Sequence, residues 1–232
     1  MTEGLEDRWE DDEAAEAVAE PEPEAEAEPA PEPEAEAEPA EDEPFEDEPA
    51  EEDELPRLRG PEHAAGELSI PDGYGVIEGE PTGARRSVGI VVGRFNGDIT
   101  TRLLDGALEA LAEAGVVRER IDVMPVPGAF ELPLGAMALA KTRRYACVVA
   151  LGCVIRGDTP HFEYIASEAA SGLQLAGLET GVPVSFGVLT CDSRRQAEER
   201  AGGEQGNKGG EAARTALEMA DAMARLRASV TQ

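Results

Sequence analysis

The stretch ACVVALGCVIRGDTPHFEY, from Ala146 to Tyr164, begins as an apolar run and ends in a turn that opens a helix. The apolar run Ala146–Val154 predicts a strand in the interior of a parallel sheet. Gly157 and Pro160 follow the run and mark a turn, and proline suits the first position of a helix. The stretch therefore predicts a strand, a glycine turn and a helix in direct succession.

The chain repeats this alternation of short apolar runs and amphipathic stretches from about Arg85 onward. Ser87–Val92 predicts a first strand buried on both faces, and Ile99–Ala114 predicts a helix with leucines at three- and four-residue spacing. This order is typical of a parallel sheet covered by helices on both faces, an α/β fold with one core of about 150 residues. The remaining predicted strands are Asp122–Val126, Ala146–Val154 and Pro183–Thr190, and the remaining helices are Phe130–Thr142, Pro160–Glu179, Ser193–Arg200 and Lys208–Leu226.

The N-terminal part of the chain has a different composition. Residues 1–54 contain 27 acidic residues and one basic residue, so they account for −26 of the net charge of −30. The decapeptide PEPEAEAEPA occurs twice in tandem, at Pro21–Ala30 and Pro31–Ala40. Such a segment cannot bury enough apolar surface to offset its ordering entropy. We therefore expect a disordered acidic tail at 1–54, a linker at 55–74 and a folded domain at 75–232.

The acidic tail allows two interpretations. A solvating role is the simpler one, and a basic partner or a polyanionic lining inside an assembly is the alternative. The tail has neither the basic nor the apolar region of a targeting signal, and no later stretch has the roughly 18 apolar residues of a membrane span. We expect no membrane and no nucleic-acid partner, because the chain is acidic and lacks a basic patch with interleaved aromatic residues.

The three cysteines, Cys147, Cys153 and Cys191, lie in apolar runs without CxxC spacing. This pattern predicts reduced thiols in the core and a cytoplasmic protein. The spacing of a structural zinc site is missing. We therefore expect neither a metal ion nor a cofactor.

The loops that follow the predicted strands hold the candidate functional residues, because ligands of such sheets bind beyond the carboxyl ends of the strands. A glycine turn at a helix N-terminus presents backbone N–H groups to an anion, and Thr159 adds a hydroxyl that can cap the helix or donate. His161, the only histidine in the predicted domain, can transfer protons beside this turn. The combination predicts chemistry on a phosphorylated small molecule.

Two aromatic residues and one acidic residue are further candidates. Phe95 follows the first strand, and Phe186 lies just before the end of the predicted fourth strand. Exposed aromatic rings there can stack on a flat heterocycle, although periodicity alone favours core positions for both. Glu131, in the first turn of a predicted helix, can accept hydrogen bonds from substrate hydroxyls or simply complement the helix dipole.

The loop sequences form five motifs in a fixed order. They are GRFN at Gly93, VPGAFELP at Val126, GCVIRGDTPHFEY at Gly152, FGVLT at Phe186, and RAG with GNKG and EAA within Arg200–Ala213. In this order they resemble the lumazine synthase family over about Gly75–Leu226. The resemblance implies a three-layer α/β/α fold with a four-stranded, flavodoxin-like sheet. It also implies a transferase of riboflavin biosynthesis, which condenses 5-amino-6-(D-ribitylamino)uracil with 3,4-dihydroxy-2-butanone 4-phosphate to give 6,7-dimethyl-8-ribityllumazine, phosphate and water.

The resemblance also implies a role for each motif residue. Phe95 would stack on the pyrimidine ring, Glu131 would accept from the ribityl hydroxyls, and His161 would move protons as the imine forms and phosphate leaves. The phosphate would be held by Asp158 through its backbone, by Thr159 and by Arg200. The other substrate contacts would come from Ala129, Phe130, the backbone of Cys153, Val154 and Ile155, and from Phe186 and Lys208.

The family implies a homo-oligomer of pentamers with sites between subunits, in which Phe186, Arg200 and Lys208 of one subunit complete the pocket of its neighbour. Val76–Gly79 resembles a strand that joins the adjacent subunit's sheet. The short connection GGEQGNKG resembles that of members whose twelve pentamers close into an icosahedral shell of sixty subunits. Two alternatives are an archaeal-type riboflavin synthase and a non-enzymatic shell that carries cargo through its acidic tail.

Overall fold

The computed structural model describes residues 68–230 of the chain. The predicted acidic tail at 1–54 and most of the predicted linker at 55–74 lie outside the described residues. Within residues 68–230, no helix is long and apolar enough to cross a membrane.

A parallel sheet forms the centre of the described part of the chain. Its strands are β1 (Val88–Gly93), β2 (Ile121–Val126), β3 (Cys147–Ile155) and β4 (Val184–Cys191). They have the spatial order β2-β1-β3-β4, and every neighbouring pair is parallel. All residues of β1 are buried, so the prediction of a strand covered on both faces is confirmed.

The helices lie between and after these strands. In the described residues they are α1 (Gly97–Glu113), α2 (Leu132–Lys141), α3 (His161–Thr180), α4 (Arg194–Arg200) and α5 (Lys208–Val230). Short 3-10 turns precede β2 and α2, at Arg118–Arg120 and Ala129–Glu131. A small antiparallel ribbon of β5 (Ala201–Gly203) and β6 (Gly206–Asn207) joins α4 to α5. The helices and strands predicted from Ser87 onward are present with small shifts of their ends, whereas the ribbon and the 3-10 turns were not predicted.

Two hydrophobic clusters, one on each face of the sheet, hold the helices in place. α1 and α5 contribute to one cluster, and α2 and α3 contribute to the other. Successive residues of a strand point to opposite faces, so Ile90 belongs to the first cluster and Val91 to the second. The predicted three-layer α/β/α architecture is confirmed. Its largest fully buried side chains include Ile90, Ile99, Leu103, Leu111, Leu132, Leu151, Leu173 and Leu217.

A buried aspartate of α5 ties the segment before β1 to the domain. The Asp221 carboxylate accepts from the Arg86 guanidinium at 2.6 Å, from the Glu80 backbone N–H at 3.1 Å and from Arg225 Nε at 2.7 Å. Donors on the charged form of a carboxylate stabilise that form. The hydrogen bond from Arg86 and then that from Glu80 accordingly lower the pKa of Asp221 below its ordinary value.

The predicted N-terminal strand at Val76–Gly79 forms no strand within the described chain. Val76 and Ile77 are about half exposed, whereas Gly79 packs directly on α5. A Cβ atom at Gly79 would lie 2.0 Å from the carbonyl oxygen of Glu218, so this close approach requires glycine. Pairing of this segment in a sheet would therefore need a second subunit.

Replacing the buried carboxylate should destabilise the protein in a pH-dependent way. Asp221→Asn is expected to lower the free energy of unfolding at pH 7, because a neutral amide pairs less well with Arg86 and Arg225. A lowered pKa gives stability that is complete above the ordinary aspartate pKa of about 3.9 and is lost as the pH falls through the folded value. The difference between the two proteins should therefore shrink below about pH 4.

Urea unfolding at pH 7 and at pH 3, at one protein concentration, measures this difference. Asp105→Asn, at an exposed aspartate of α1, removes one charge elsewhere and serves as the control. An equal loss of stability at both pH values would contradict the assigned role of Asp221.

Candidate active site

A cavity of about 690 Å³ lies beyond the carboxyl ends of β1, β2 and β3. We call it cavity A. It brings together eight of the predicted site residues, supplied by the loops after β1 and β2, by the end of β3 and by the start of α3. They are Phe95, Ala129, Phe130, Glu131, Cys153, Val154, Ile155 and His161, and Asn96, Tyr164 and Ile165 also line the cavity.

Phe95 lies at the mouth of cavity A with 74% of its surface exposed. The chain leaves β1 through hydrogen bonds from the Arg94 N–H to the Val126 carbonyl and from the Phe95 N–H to the Pro127 carbonyl. Asn96 then adopts a left-handed backbone, with φ of 55°, and α1 begins at the next residue. The core position that periodicity favours for Phe95 is therefore wrong, because this turn directs the ring out of the domain.

The Asn96 side chain links the same loop to β3. Its Nδ2 donates to the Cys153 carbonyl at 2.9 Å. Asparagine tolerates the left-handed region better than most residues and offers an amide for such a bond. Sequence analysis assigned Asn96 no role, although its place in the GRFN motif was the available signal.

Glu131 closes the turn that forms another wall of cavity A. Its Oε2 accepts from the Gly128 N–H at 2.8 Å, and Glu131 immediately precedes α2. A carboxylate has two oxygens with about four acceptor positions, so this bond leaves capacity for a ligand hydroxyl. The predicted acceptor role and the structural role at the helix start are thus compatible.

His161 is the first residue of α3, and its exposed side chain borders cavity A. Pro160 is the residue before the helix, and no side chain caps its N-terminus. Of the two possibilities for the Thr159 hydroxyl, capping the helix or donating to a ligand, the first is therefore not realised. Pro160, predicted as the first residue of the helix, immediately precedes it. The Glu163 N–H donates to the Pro160 carbonyl at 3.0 Å, so the N–H groups of His161 and Phe162 are the ones at this helix start that suit an anion.

The turn Gly157–Pro160 is exposed and lines neither of the two cavities described here. Asp158 and Thr159, the predicted phosphate contacts, therefore stand beside His161 and are not enclosed. This placement is open to an anion from outside the subunit.

A second cavity, of about 520 Å³, lies along β4, α4 and α5. We call it cavity B. It contains Phe186, Arg200 and Lys208, the three residues that sequence analysis assigned to a neighbour's pocket. Phe186 is the third residue of β4 and not near its end, so that prediction is wrong. The ring is 47% exposed because β4 is an edge strand of the described sheet.

The start of α5 fixes the position of Lys208 in cavity B. Asn207 Oδ1 accepts from the N–H groups of Gly209 and Gly210 at 2.9 and 3.2 Å, while its Nδ2 donates to the Arg102 carbonyl at 2.8 Å. A Cβ atom at Gly209 would lie 2.0 Å from the Leu103 carbonyl oxygen. Lys208 Nζ pairs with Glu211 Oε2 at 2.9 Å. The GNKG motif therefore packs and caps the helix that carries the lysine.

The cysteines are buried free thiols, as predicted. Burial raises the pKa of Cys147 and of Cys153 to about 12. A thiol with such a pKa stays protonated at neutral pH and is a poor nucleophile. Cys153 lines cavity A, and its backbone carbonyl accepts from Asn96.

Comparison with known proteins agrees with this geometry. The model of one protein family, described as 6,7-dimethyl-8-ribityllumazine synthase, matches residues 85–224. The chain belongs to the lumazine synthase family. It is also 54% identical, over 146 residues, to a protein of Syntrophus aciditrophicus (strain SB) named 6,7-dimethyl-8-ribityllumazine synthase. That alignment covers 63% of this chain and 95% of the relative.

Membership of the lumazine synthase family confirms the predicted fold, enzyme class and reaction. The chain is a transferase of riboflavin biosynthesis, and neither a riboflavin synthase nor a non-enzymatic shell is favoured. The family also implies small-molecule substrates and an oligomeric assembly in general.

The link between Asn96 and Cys153 should be measurable as stability. Asn96→Ala is expected to lower the free energy of unfolding by about 2 kcal/mol, because it removes a hydrogen bond and alanine tolerates the left-handed region less well than asparagine. Asn96→Gly removes the bond but tolerates this backbone, so it should cost about half as much. Urea unfolding of both variants tests the difference; equal costs would contradict the backbone argument.

The buried thiols should resist modification in the folded protein. With a pKa of about 12, Cys147 and Cys153 should react with a disulfide reagent at pH 8 far more slowly than in 6 M urea, where ordinary thiol ionisation returns. Absorbance of the released thiolate follows both reactions. Rapid labelling of the folded protein at either residue, located by mass spectrometry, would contradict the assignment of these cysteines to the core.

Proposed function

We propose that the lumazine-forming condensation takes place in cavity A, with residues of cavity B from a neighbouring subunit completing the site. One observation carries this proposal: a single cavity is lined by the exposed ring of Phe95, by the end of β3 and by His161. Each element matches one requirement of the reaction: a surface for a flat ring, polar groups for its edge, and a group that moves protons.

The ring of Phe95 would stack on the pyrimidine, and the end of β3 would bind its edge. The last residue pair between β1 and β3 is Val92 with Leu151, whereas β3 continues beside β4 as far as Ile155 with Cys191. Backbone groups of Cys153–Ile155 that point away from β4 therefore have no neighbouring strand in the described sheet. Such groups can pair with the donors and acceptors of a uracil.

The ribityl chain would lie along the turn after β2. Ala129 is buried there, Phe130 is exposed, and Glu131 is held by its bond to the Gly128 N–H. The remaining acceptor positions of the Glu131 carboxylate would receive the substrate hydroxyls. A charged acceptor makes stronger hydrogen bonds than a neutral one, which suits the recognition of a polyol.

The phosphate would bind at the start of α3. The Thr159 hydroxyl and the backbone N–H groups of Asp158 and the helix start would donate to it, with the Asp158 carboxylate turned away from the anion. Arg200 of a neighbour would supply a planar guanidinium able to engage two phosphate oxygens. His161, at the same helix end, would move protons as the imine forms and phosphate leaves.

We also propose the finer assembly that the family pattern implies: pentamers, and a shell of twelve pentamers. The exposed Val76 and Ile77 support pairing of Val76–Gly79 with a neighbour's sheet, and the compact ribbon β5-β6 supports the closed shell. In a pentamer, Phe186, Arg200 and Lys208 would reach the next subunit's cavity A.

The tail at 1–54 would solvate such an assembly, and a basic partner is its alternative function. Binding of a basic protein by the whole chain, but not by the chain without residues 1–54, would favour that alternative. We place the enzyme in the cytoplasm on the strength of its buried free thiols.

The role of His161 is tested by following lumazine formation from the two substrates against the spontaneous background. His161→Ala should lower turnover about 100-fold while changing substrate binding little. The lower end of the usual general acid–base contribution applies because His161 is exposed to water.

His63→Ala removes the only other histidine, which lies outside the described residues and outside the family match, and should leave turnover unchanged. Weaker binding with intact turnover in His161→Ala would refute the proton-transfer role. An assembled native protein that does not accelerate the reaction would favour the non-enzymatic shell.

A further inference from the structure

Arg156 lies between the end of β3 and the turn Gly157–Pro160, and sequence analysis gave it no role. Its backbone N–H donates to the Cys191 carbonyl at 2.9 Å, which continues the pairing with β4. Its guanidinium donates from Nε to Asp192 Oδ1 at 2.8 Å and from Nη1 to Glu163 Oε1 at 3.2 Å. The same group stands 4.4 Å from the centroid of the Phe162 ring.

These contacts link the two elements that flank the turn. Phe162 and Glu163 belong to the first turn of α3, directly after His161, while Asp192 follows β4. Arg156 thus connects the start of α3 to the end of β4 across the turn. A planar guanidinium suits this task because it can donate in two directions and stack on a ring at once.

We propose that Arg156 is a positioning residue for the phosphate of the substrate. It orders the turn Gly157–Pro160, and its ion pairs keep the carboxylates of Glu163 and Asp192 away from the bound phosphate. This inference rests on the proposed phosphate site at the start of α3.

The charge distribution explains why such a residue is needed. Glu163 is an acidic residue in the first turn of α3, where its carboxylate competes with a phosphate for the positive end of the helix. Asp158 in the turn and Asp192 nearby add further negative charge. The ion pairs of Arg156 draw the carboxylates of Glu163 and Asp192 onto one cation.

The contribution of Arg156 to global stability is expected to be small. Its side chain is 45% exposed, and the side chains of Asp192 and Glu163 are each 67% exposed. Exposed ion pairs contribute little to the free energy of unfolding, so stability alone is a weak explanation for this network. The hydrogen bonds to Asp192 and Glu163 raise the pKa of Arg156, a group that is charged at neutral pH in any environment.

Steady-state kinetics of Arg156→Gln, in the full-length assembled protein, tests the proposal. The KM for the butanone phosphate should rise about 10-fold, and the inhibition constant of inorganic phosphate should rise in parallel, while the KM for the ribitylaminouracil changes less than about 2-fold. Added salt should reduce the defect, because it screens the freed carboxylates. Arg156→Lys keeps the positive charge but loses the planar guanidinium, which donates in two directions and stacks on Phe162. It should therefore bind the butanone phosphate better than Arg156→Gln and less well than the native protein.

The chain offers a matched control in Arg144. This residue also pairs with an aspartate, Asp122 at 3.4 Å, and stands 5.5 Å from the Tyr145 ring, but it precedes β3 at the opposite end of the strand. Arg144→Gln removes the same charge and the same kinds of contact, and should leave both KM values unchanged.

The double variant Arg156→Gln/Glu163→Gln separates charge from structure. If freed Glu163 repels the phosphate, removing its charge should restore most of the lost affinity. Equal rises in both KM values, no difference from Arg144→Gln, or an Arg156→Gln protein that fails to assemble would overturn the proposal. Calorimetric binding of inorganic phosphate tests the role of Arg156 without turnover. If the proposed enzymatic function fails, turnover is absent in every variant. If only the role of Arg156 fails, the native protein and Arg156→Gln bind phosphate with the same affinity.

Discussion

The rest of the site depends on one constraint: at its carboxyl end, β3 extends farther than the neighbouring strand β1. β3 continues for four residues beyond its last pair with β1, and over that length it has a neighbouring strand on one side only. Buried backbone groups need partners, so this open side must be met by a side chain, by water or by a ligand. Asn96 meets one of these groups, the Cys153 carbonyl. The end of β3 lines cavity A, and under the proposed binding mode its remaining backbone groups would pair with the donors and acceptors along one edge of a heterocycle.

Each loop motif of this chain contains residues of two kinds: residues that line a cavity and neighbouring residues that hold the backbone in place. Phe95, Glu131 and His161 face cavity A, whereas their neighbours hold the backbone. Asn96 supplies the left-handed residue that turns Phe95 outward, and Gly128 supplies the N–H that fixes Glu131. In cavity B, Asn207 and Gly209 set the start of α5, and with it Lys208. The positions of the candidate residues therefore depend on partners one to three residues away in sequence.

The helices and strands could be predicted from the sequence because burial on both faces of a parallel sheet leaves long apolar runs, as in Val88–Val92. Periodicity failed for Phe95 and Phe186, since a left-handed turn and an edge strand expose residues that an apolar pattern places in the core. The ribbon β5-β6 is too short to leave a periodic signal. Eight of the residues named from the motifs line one cavity, and their substrate roles stay a prediction. The motifs gave no sign of the role of Arg156, whose four contacts connect the start of α3 with the end of β4.

The charges explain why the proposed site would need a second subunit. In the described residues, the start of α3 is surrounded by Asp158, Glu163 and Asp192, and Arg156 is engaged with two of these carboxylates. A phosphate dianion bound there needs additional positive charge, which Arg200 and Lys208 hold in cavity B of the same chain but away from its own cavity A. Under the proposed assembly, a neighbour brings this charge to the turn, so binding of the phosphate and contact between subunits would stabilise each other. The 26 net negative charges of residues 1–54 would act against this coupling in every subunit, and salt would weaken their effect over a screening length of about 8–10 Å.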